Sequence, residues 1–353
     1  MPRFCRHNRF LERCPICSEP EVRAPSRTPR AAAAKPPGTK PPGTRRRGAG
    51  ARARGSAAGA PRGEPLRVYT DGSRRGAEDG YACDLLPGLR ASEDAARLAE
   101  EIAFARARLE LLSHDPPGLY AQARAEGRSD PEGAAWRCFL IAYLSPVEGG
   151  DPFVGIREAL AGVGPDGASD WRTGALPDLT NVPLGPRTSH DPARGSATLA
   201  AYRQWVERTR GAAGGEAGAF AGDPAWSPTR RFERLFERLT LPGLGRAGRY
   251  ELLVALGRLG LYDLEGDSLH FADIRGAASG DPTTVAAKRV FGIGDPVNLE
   301  RRALALAQAV RVPVEALDLA LANWGTGERA TLGVPPELRD EQTLAEARAA
   351  LGL

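Results

Sequence analysis

The sequence predicts a mainly α-helical body preceded by a basic tail that does not fold on its own. Two contrasts within the chain predict this. Residues 1–63 carry 15 Lys+Arg against 3 Asp+Glu and are crowded with Pro, Gly and Ala, whereas residues 64–353 carry 33 against 41. From Trp136 onward, apolar residues recur at three- and four-residue spacing in short stretches cut by Gly and Pro, the pattern of amphipathic helices packed on a core. At 353 residues with 42% hydrophobic content, the chain has room for more than one folded unit.

Residues 1–20 hold a candidate zinc knuckle. Cys5-x-His7 and Cys14-x-x-Cys17 place four soft or borderline ligands within 13 residues, a set suited to tetrahedral zinc. The metal would supply the folding energy that so short a segment lacks; the alternative is a reduced Cys/His stretch that holds nothing. No iron–sulfur cluster is expected, because one usually takes four thiolates and Cys83 and Cys138 stand far off in the chain. Residues 21–63, with the PPGTKPPGT duplication and Arg45-Arg46-Arg47, cannot bury enough apolar surface to offset their ordering entropy. They are predicted to form a disordered basic linker, either facing a polyanion or simply solubilising the chain. With no run of about 20 apolar residues and no apolar leader, a cytoplasmic monomer with reduced thiols is expected.

Residues 64–133 are predicted to be a short α/β segment packed on the body. Leu66-Arg67-Val68-Tyr69 is its strand, and residues 92–113 its helix, with Ser92 as N-cap ahead of Glu93 and Asp94. Val68-Tyr69-Thr70-Asp71-Gly72-Ser73, followed by Gly80-Tyr81, is similar to the first hairpin of ribonuclease H. The further carboxylates that a two-metal nuclease needs on later strands do not follow. In the body, residues 134–353, helices are expected at 134–146, 152–162, 197–210, 228–239, 246–260, 281–291, 297–309 and 313–323. The Gly/Pro-rich stretches 163–196 and 211–226 are long inserted loops, a length that often carries function.

The first chemical motif is Leu241-Pro242-Gly243-Leu244-Gly245, between two predicted helices. Its glycines permit a tight turn that offers backbone N–H groups beside a helix N-terminus, a site suited to a phosphate. Gly243, Leu244, Gly245 and Arg246 are therefore the candidate contacts to a DNA backbone, positioning the strand without reading its sequence. An ordinary helix–helix turn is the competing account.

Leu-Pro-Gly-x-Gly between helices resembles the hairpin of the endonuclease III-like helix–hairpin–helix DNA glycosylases. Phe139-Leu140-Ile141-Ala142-Tyr143-Leu144-Ser145 is similar to the apolar helix that opens that fold. The stretch Asp281-Pro282-Thr283-Thr284-Val285-Ala286-Ala287-Lys288-Arg289-Val290-Phe291-Gly292-Ile293-Gly294 resembles the one that begins with the catalytic aspartate. Leu317-Asp318-Leu319-Ala320-Leu321-Ala322-Asn323-Trp324-Gly325 looks like the closing helix. More narrowly, the inserted loops, the GDPTT-AAKR-FGIGD stretch and the N-terminal Cys/His cluster resemble the third clade of the alpha-glutamyl/putrescinyl thymine pyrophosphorylase family, associated with hypermodified bases in phage DNA. The resemblance implies a helix–hairpin–helix fold acting on double-stranded DNA. The family name implies pyrophosphate chemistry; the superfamily resemblance implies base excision, which is the favoured reading.

Under that reading Asp281 is the catalytic residue. Breaking an N-glycosidic bond builds positive charge on the sugar, and a fixed carboxylate stabilises that charge and orients water. Asp281 also precedes Pro282 where an N-cap belongs, so a purely structural role competes. The 36 residues from Gly245 to Asp281 are long for the simpler superfamily members, and Asp267 and Asp273 in that insertion are fallback catalytic residues. A strand-cutting enzyme needs an amine for a Schiff base, which the resemblance places between hairpin and aspartate. The chain has three lysines, Lys35, Lys40 and Lys288, and none falls there, so base removal without a lyase step is expected.

An extruded base needs stacking surfaces and edge hydrogen bonds. Tyr143, Ser145, Glu148 and His190 are the candidate pocket residues, with Arg187, Thr188 and Ser189 beside them. Trp226 is a possible stacking surface, while Trp205 reads as core. The function expected is a monofunctional DNA glycosylase for a bulky, phage-type modified base, with anti-phage defence as its role. The alternatives are a repair glycosylase for small lesions and a non-catalytic DNA-binding module.

Overall fold

A computed structural model describes residues 76–161, 171–213, 218–271 and 280–353. The candidate zinc ligands Cys5, His7, Cys14 and Cys17, the linker 21–63, the strand at 66–69 and the fallback Asp273 lie outside the described residues. Eleven helices are described: α1 Ser92–His114, α2 Gly118–Glu126, α3 Pro131–Leu144, α4 Val154–Ala161, α5 Ala197–Ala213, α6 Pro228–Arg238, α7 Arg246–Arg258, α8 Pro282–Phe291, α9 Pro296–Ala309, α10 Val314–Thr326 and α11 Glu341–Ala350. The fold is mainly helical, with no strand among the described residues. No described helix is long and apolar enough to cross a membrane.

Two helices sit at the centre because they are apolar on every side. All of α3 after Pro131 is buried, as are the first eleven residues of α10. α1 packs along α10, as does α8, while α7 and α2 pack on α3. α1 thus belongs to the same core as the body, with Leu98, Ile102, Phe104, Leu109 and Leu112 at or near zero exposure. Polar caps set several helix starts. Asp130, Ser227, Asp281, Asp295 and Asp340 each accept a backbone N–H of their own first turn, and Pro follows at N1 in four of them. α1 has no such cap: its N-cap is Ala91, and Ser92 is helical. The backbone N–H of Ser92 instead reaches the Asp79 carboxylate of the preceding segment at 3.1–3.2 Å, so the cap comes from 13 residues upstream rather than from Ser92 itself.

The irregular stretch 171–196 is integral to the core. Trp171 stacks on Trp136 of α3 with ring centroids 5.2 Å apart and planes 9° from parallel. Beyond it the chain clips onto the end of α3. Gly185 N donates to the Leu144 and Ser145 carbonyls at 3.1 and 3.0 Å, and Ser189 N donates to Tyr143 O at 2.9 Å. Gly185 is required for this approach, because a Cβ there would stand 1.9 Å from Pro146 O. The loop is held by the last exposed carbonyls of a buried helix, which need donors in any case.

One charged pair lies deep in this core. Arg108 of α1 is 2% exposed and forms a two-pronged pair with Glu251 of α7, and its Nη2 also donates to Tyr120 Oη at 3.3 Å. Removing one member leaves the other charged and dry. Arg108→Ala is therefore expected to cost about 3–5 kcal/mol in urea unfolding. The double variant Arg108→Met, Glu251→Leu should recover most of that loss. A single-variant cost near zero would contradict this account of the core.

Candidate active site

The starts of α7 and α8 open onto one cleft of about 510 Å³. Its walls are Pro186–Ser189 of the irregular stretch, the turn residues Gly243 and Gly245, Arg246 and Ala247 of α7, Gly280–Pro282 at the head of α8, and the end of α10 through Ala330. The turn before α7 needs its glycine: Gly243 has φ +85°, and a Cβ there would meet Thr198 Oγ1 at 2.4 Å. That hydroxyl donates to Pro242 O at 2.7 Å, tying the turn to α5. Gly245 is the N-cap of α7 and offers no side-chain acceptor, so the first N–H groups of α7 lack a side-chain cap. The space around Gly245 is open, with nothing within 4 Å of an added Cβ.

A chain of alternating charges runs beneath the cleft. Arg246 is buried, its side chain 4% exposed. Its Nη2 donates to Asp318 Oδ1 at 2.5 Å, its Nη1 to Leu269 O at 2.9 Å, and its Nε lies 2.9 Å from Asp281 Oδ2. The last contact is a close ion pair rather than an aligned hydrogen bond, since Nε has no well-directed acceptor. Asp318 is equally buried and takes a second guanidinium, Arg187 Nη2, on Oδ2 at 2.8 Å. Thr283 Oγ1 donates to Asp318 Oδ1 at 3.2 Å. Burial alone would push the Asp318 carboxyl up, but Arg246 and then Arg187 outweigh it and hold it below the usual carboxylate range. Burial likewise opposes the charge on Arg246, and Asp318 and Asp281 more than compensate. Four elements, the loop at 187, α7, α8 and α10, are thereby fixed to one another.

Asp281 divides its two oxygens between structure and cleft. Oδ2 accepts Thr284 N at 2.8 Å and Thr284 Oγ1 at 2.7 Å, and it is the oxygen facing Arg246. Oδ1 makes no hydrogen bond or ion pair with a described residue, and Asp281 lines the cleft. The N-cap role and a chemical role are thus compatible in one side chain, because they use different atoms.

Of the residues singled out from sequence, Arg187, Thr188, Ser189, Gly243, Gly245, Arg246 and Asp281 meet at this cleft. Leu244 is buried beneath the turn at 5% exposure. Arg246 faces inward to the two aspartates, because a desolvated guanidinium needs carboxylates more than a solvated phosphate needs it. Tyr143, Ser145, Glu148 and His190 do not line the cleft. Tyr143 Oη and His190 Nδ1 are 3.0 Å apart, and Tyr143 O holds Thr188 Oγ1 at 3.1 Å; the pair supports the 187–190 wall from behind. Ser145 is buried with φ +61°. Glu148 binds the N–H and hydroxyl of Thr331, both at 2.8 Å. Asp267 is exposed and, like Lys288, lies outside the cleft lining. Trp205 is core, its Nε1 bonded to Arg238 O at 3.1 Å. Asp318 and Asn323 were missed, although single polar residues inside an otherwise apolar helix were the signal that could have found them. No group of three or more metal-ligating side chains occurs among the described residues.

A family model described as alpha-glutamyl/putrescinyl thymine pyrophosphorylase clade 3 matches residues 187–330. That span is less than half of the chain, begins at Arg187, and contains Arg187, Arg246, Asp281 and Asp318. No curated protein and no solved structure matches the chain.

The support behind the cleft wall is pH-sensitive. Burial holds the His190 imidazole below its ordinary range, against a weaker upward pull from Asp191. The unfolded chain therefore takes up this proton first as pH falls. The stabilising contribution is complete above about pH 6.5 and is lost as pH falls through the lowered folded-state value. His270, also pushed down by burial, acts in the same direction. The melting temperature is expected to fall below about pH 6.5, and less steeply in His190→Gln, which keeps a partner for Tyr143 but does not titrate. Identical pH profiles for the two proteins would contradict this.

Proposed function

We propose that the chain is a DNA base-excision enzyme of helix–hairpin–helix type that removes a bulky modified pyrimidine without cutting the strand. The single observation that carries the reading is the division of labour in Asp281. One oxygen is locked by Thr284 and Arg246, and the other is left at the cleft. In the reaction, the bond between C1′ and the base nitrogen breaks and the base leaves with the electron pair. The oxygen of a water molecule bonds to C1′ and gives up one proton, which ends on the departing base. Positive charge develops on the sugar, and an anchored carboxylate stabilises it and directs the water. The open, uncapped start of α7 behind Gly243 and Gly245 would receive a strand phosphate.

Two further points support the substrate class. A cleft of about 510 Å³ has room for a base with a large substituent, within the usual range for small-molecule sites. The description of the matching family names thymine bearing glutamyl or putrescinyl groups. The cleft lining holds Arg187 and Arg246 but no lysine, in keeping with hydrolysis rather than a Schiff base. Zinc on Cys5, His7, Cys14 and Cys17, a donor set of three thiolates and an imidazole, belongs to the same proposal as a structural tether.

A second reading is favoured by Arg187. Its Nη1 is buried without a hydrogen-bond partner at the cleft wall, and the family description names a pyrophosphorylase. A diphosphate group on the modified base would satisfy that donor; the bond broken would then be the one from the substituent carbon to diphosphate, which leaves with the electron pair, while an amine bonds to that carbon and loses a proton to solvent.

Incubation of wild type and Asp281→Asn with phage genomic DNA rich in hypermodified pyrimidines separates these readings. Abasic sites made by wild type only, with strands intact until alkali, are expected, with at least a hundredfold loss (about 10²-fold) in the variant and DNA binding retained. Release of diphosphate without abasic sites would establish the second reading. Binding by both proteins with no product of either kind would leave a non-catalytic DNA-binding module.

A further inference from the structure

We infer that Asp318 is a positioning residue for the chemistry at Asp281, acting through Arg246; the inference rests on the base-excision reading above. Asp318 never reaches the cleft surface as a reactive group. It lies on α10, its side chain 4% exposed, and spends both oxygens on guanidinium groups. Oδ1 takes Arg246 and Oδ2 takes Arg187, while Thr283 Oγ1 fixes the first oxygen from the α8 side. Arg246 is thereby shared between two carboxylates. Asp318 has the short, aligned hydrogen bond at 2.5 Å, and Asp281 has the unaligned contact at 2.9 Å.

This asymmetry has a chemical consequence. Were Arg246 free to align with Asp281 alone, it would draw that carboxylate fully into a bidentate pair, the preferred geometry for arginine and a carboxylate. Both oxygens of Asp281 would then be engaged. Asp318 prevents this by holding the guanidinium to its own side, so that one Asp281 oxygen stays available at the cleft. Asp318 also places a second negative charge behind the shared arginine, which weakens the net pull of Arg246 on Asp281.

The test is single-turnover base release, followed as a function of DNA concentration, from phage DNA carrying hypermodified pyrimidines. Wild type, Asp318→Asn and Thr283→Val are compared, with folding checked by circular dichroism. Asp318→Asn frees Arg246 for Asp281. It is expected to lower the plateau rate about 10²-fold with KM unchanged. A role confined to folding would lower the amplitude of the single turnover and leave its rate constant unchanged. If Asp318→Asn does not fold, Thr283→Val, which removes a hydrogen bond and no charge, should still slow the plateau several-fold with KM unchanged. A folded Asp318→Asn with the wild-type plateau rate would overturn the inference, as would an unaltered rate in Thr283→Val when the first variant fails to fold. Wild type that releases no base from any substrate would instead overturn the reading on which the inference stands.

Discussion

A buried guanidinium is the constraint on which the rest of this structure depends. Arg246 stands at the first position of α7, out of water, and a charge so placed is tolerated only with opposite charge and hydrogen bonds around it. Asp318 and Asp281 supply the charge, and Leu269 O takes one remaining N–H. The two aspartates come from helices distant in sequence, so satisfying one side chain sets where α7, α8 and α10 meet. Arg187 extends the same requirement to the irregular stretch, which must come to Asp318 to be neutralised. The starts of α7 and α8 and the body of α10 are gathered around a common electrostatic centre, and the cleft lies beside it.

The cleft inherits its character from the elements that meet there. Helix starts contribute glycine, proline and capping positions rather than large side chains. The lining is accordingly open, and the aromatic residues are withdrawn into the core. Tyr143 and Trp136 lie in a stacked series with Phe139, Tyr202 and Trp171, beneath the wall rather than on it. The wall itself is a loop whose backbone donors end on the carbonyls of α3. An enzyme that accepts a large substituent on a base gains from such a site, because width is set by rigid helix ends while the loop shapes one side.

Much of the helical scaffold was legible from spacing and punctuation. The stretch expected at 92–113 is observed as Ser92–His114, the one at 228–239 as Pro228–Arg238, and the one at 281–291 as Pro282–Phe291. In the last two a capping side chain followed by proline marks the start. α2 and α11 escaped notice. Gly118–Glu126 has a weak apolar pattern and begins with glycine, whereas the Asp340 cap of α11 was a visible signal not used. The turn at 241–245 and Asp281 were recovered at one site because their chemistry is local. Their neighbours were not legible for the opposite reason. Whether Arg246 faces a phosphate or the interior depends on two aspartates 35 and 72 positions away, and nothing in its local sequence reports that. The same holds for Tyr143, a polar residue near a helix end that looks suited to a pocket until the loop at 187–190 is seen to fold over it and set His190 against its hydroxyl.

On the base-excision proposal, Arg246 and Asp318 hold Asp281 against the sugar of an extruded nucleotide. The most direct measurement is a crystal structure of Asp281→Asn bound to a duplex with one hypermodified pyrimidine. The account predicts the modified nucleotide out of the helix and inside the cleft, its C1′ within about 3.5 Å of the residue 281 side chain, with a neighbouring phosphate at the 241–245 turn. DNA seated on another face of the molecule, with the cleft empty, would contradict it.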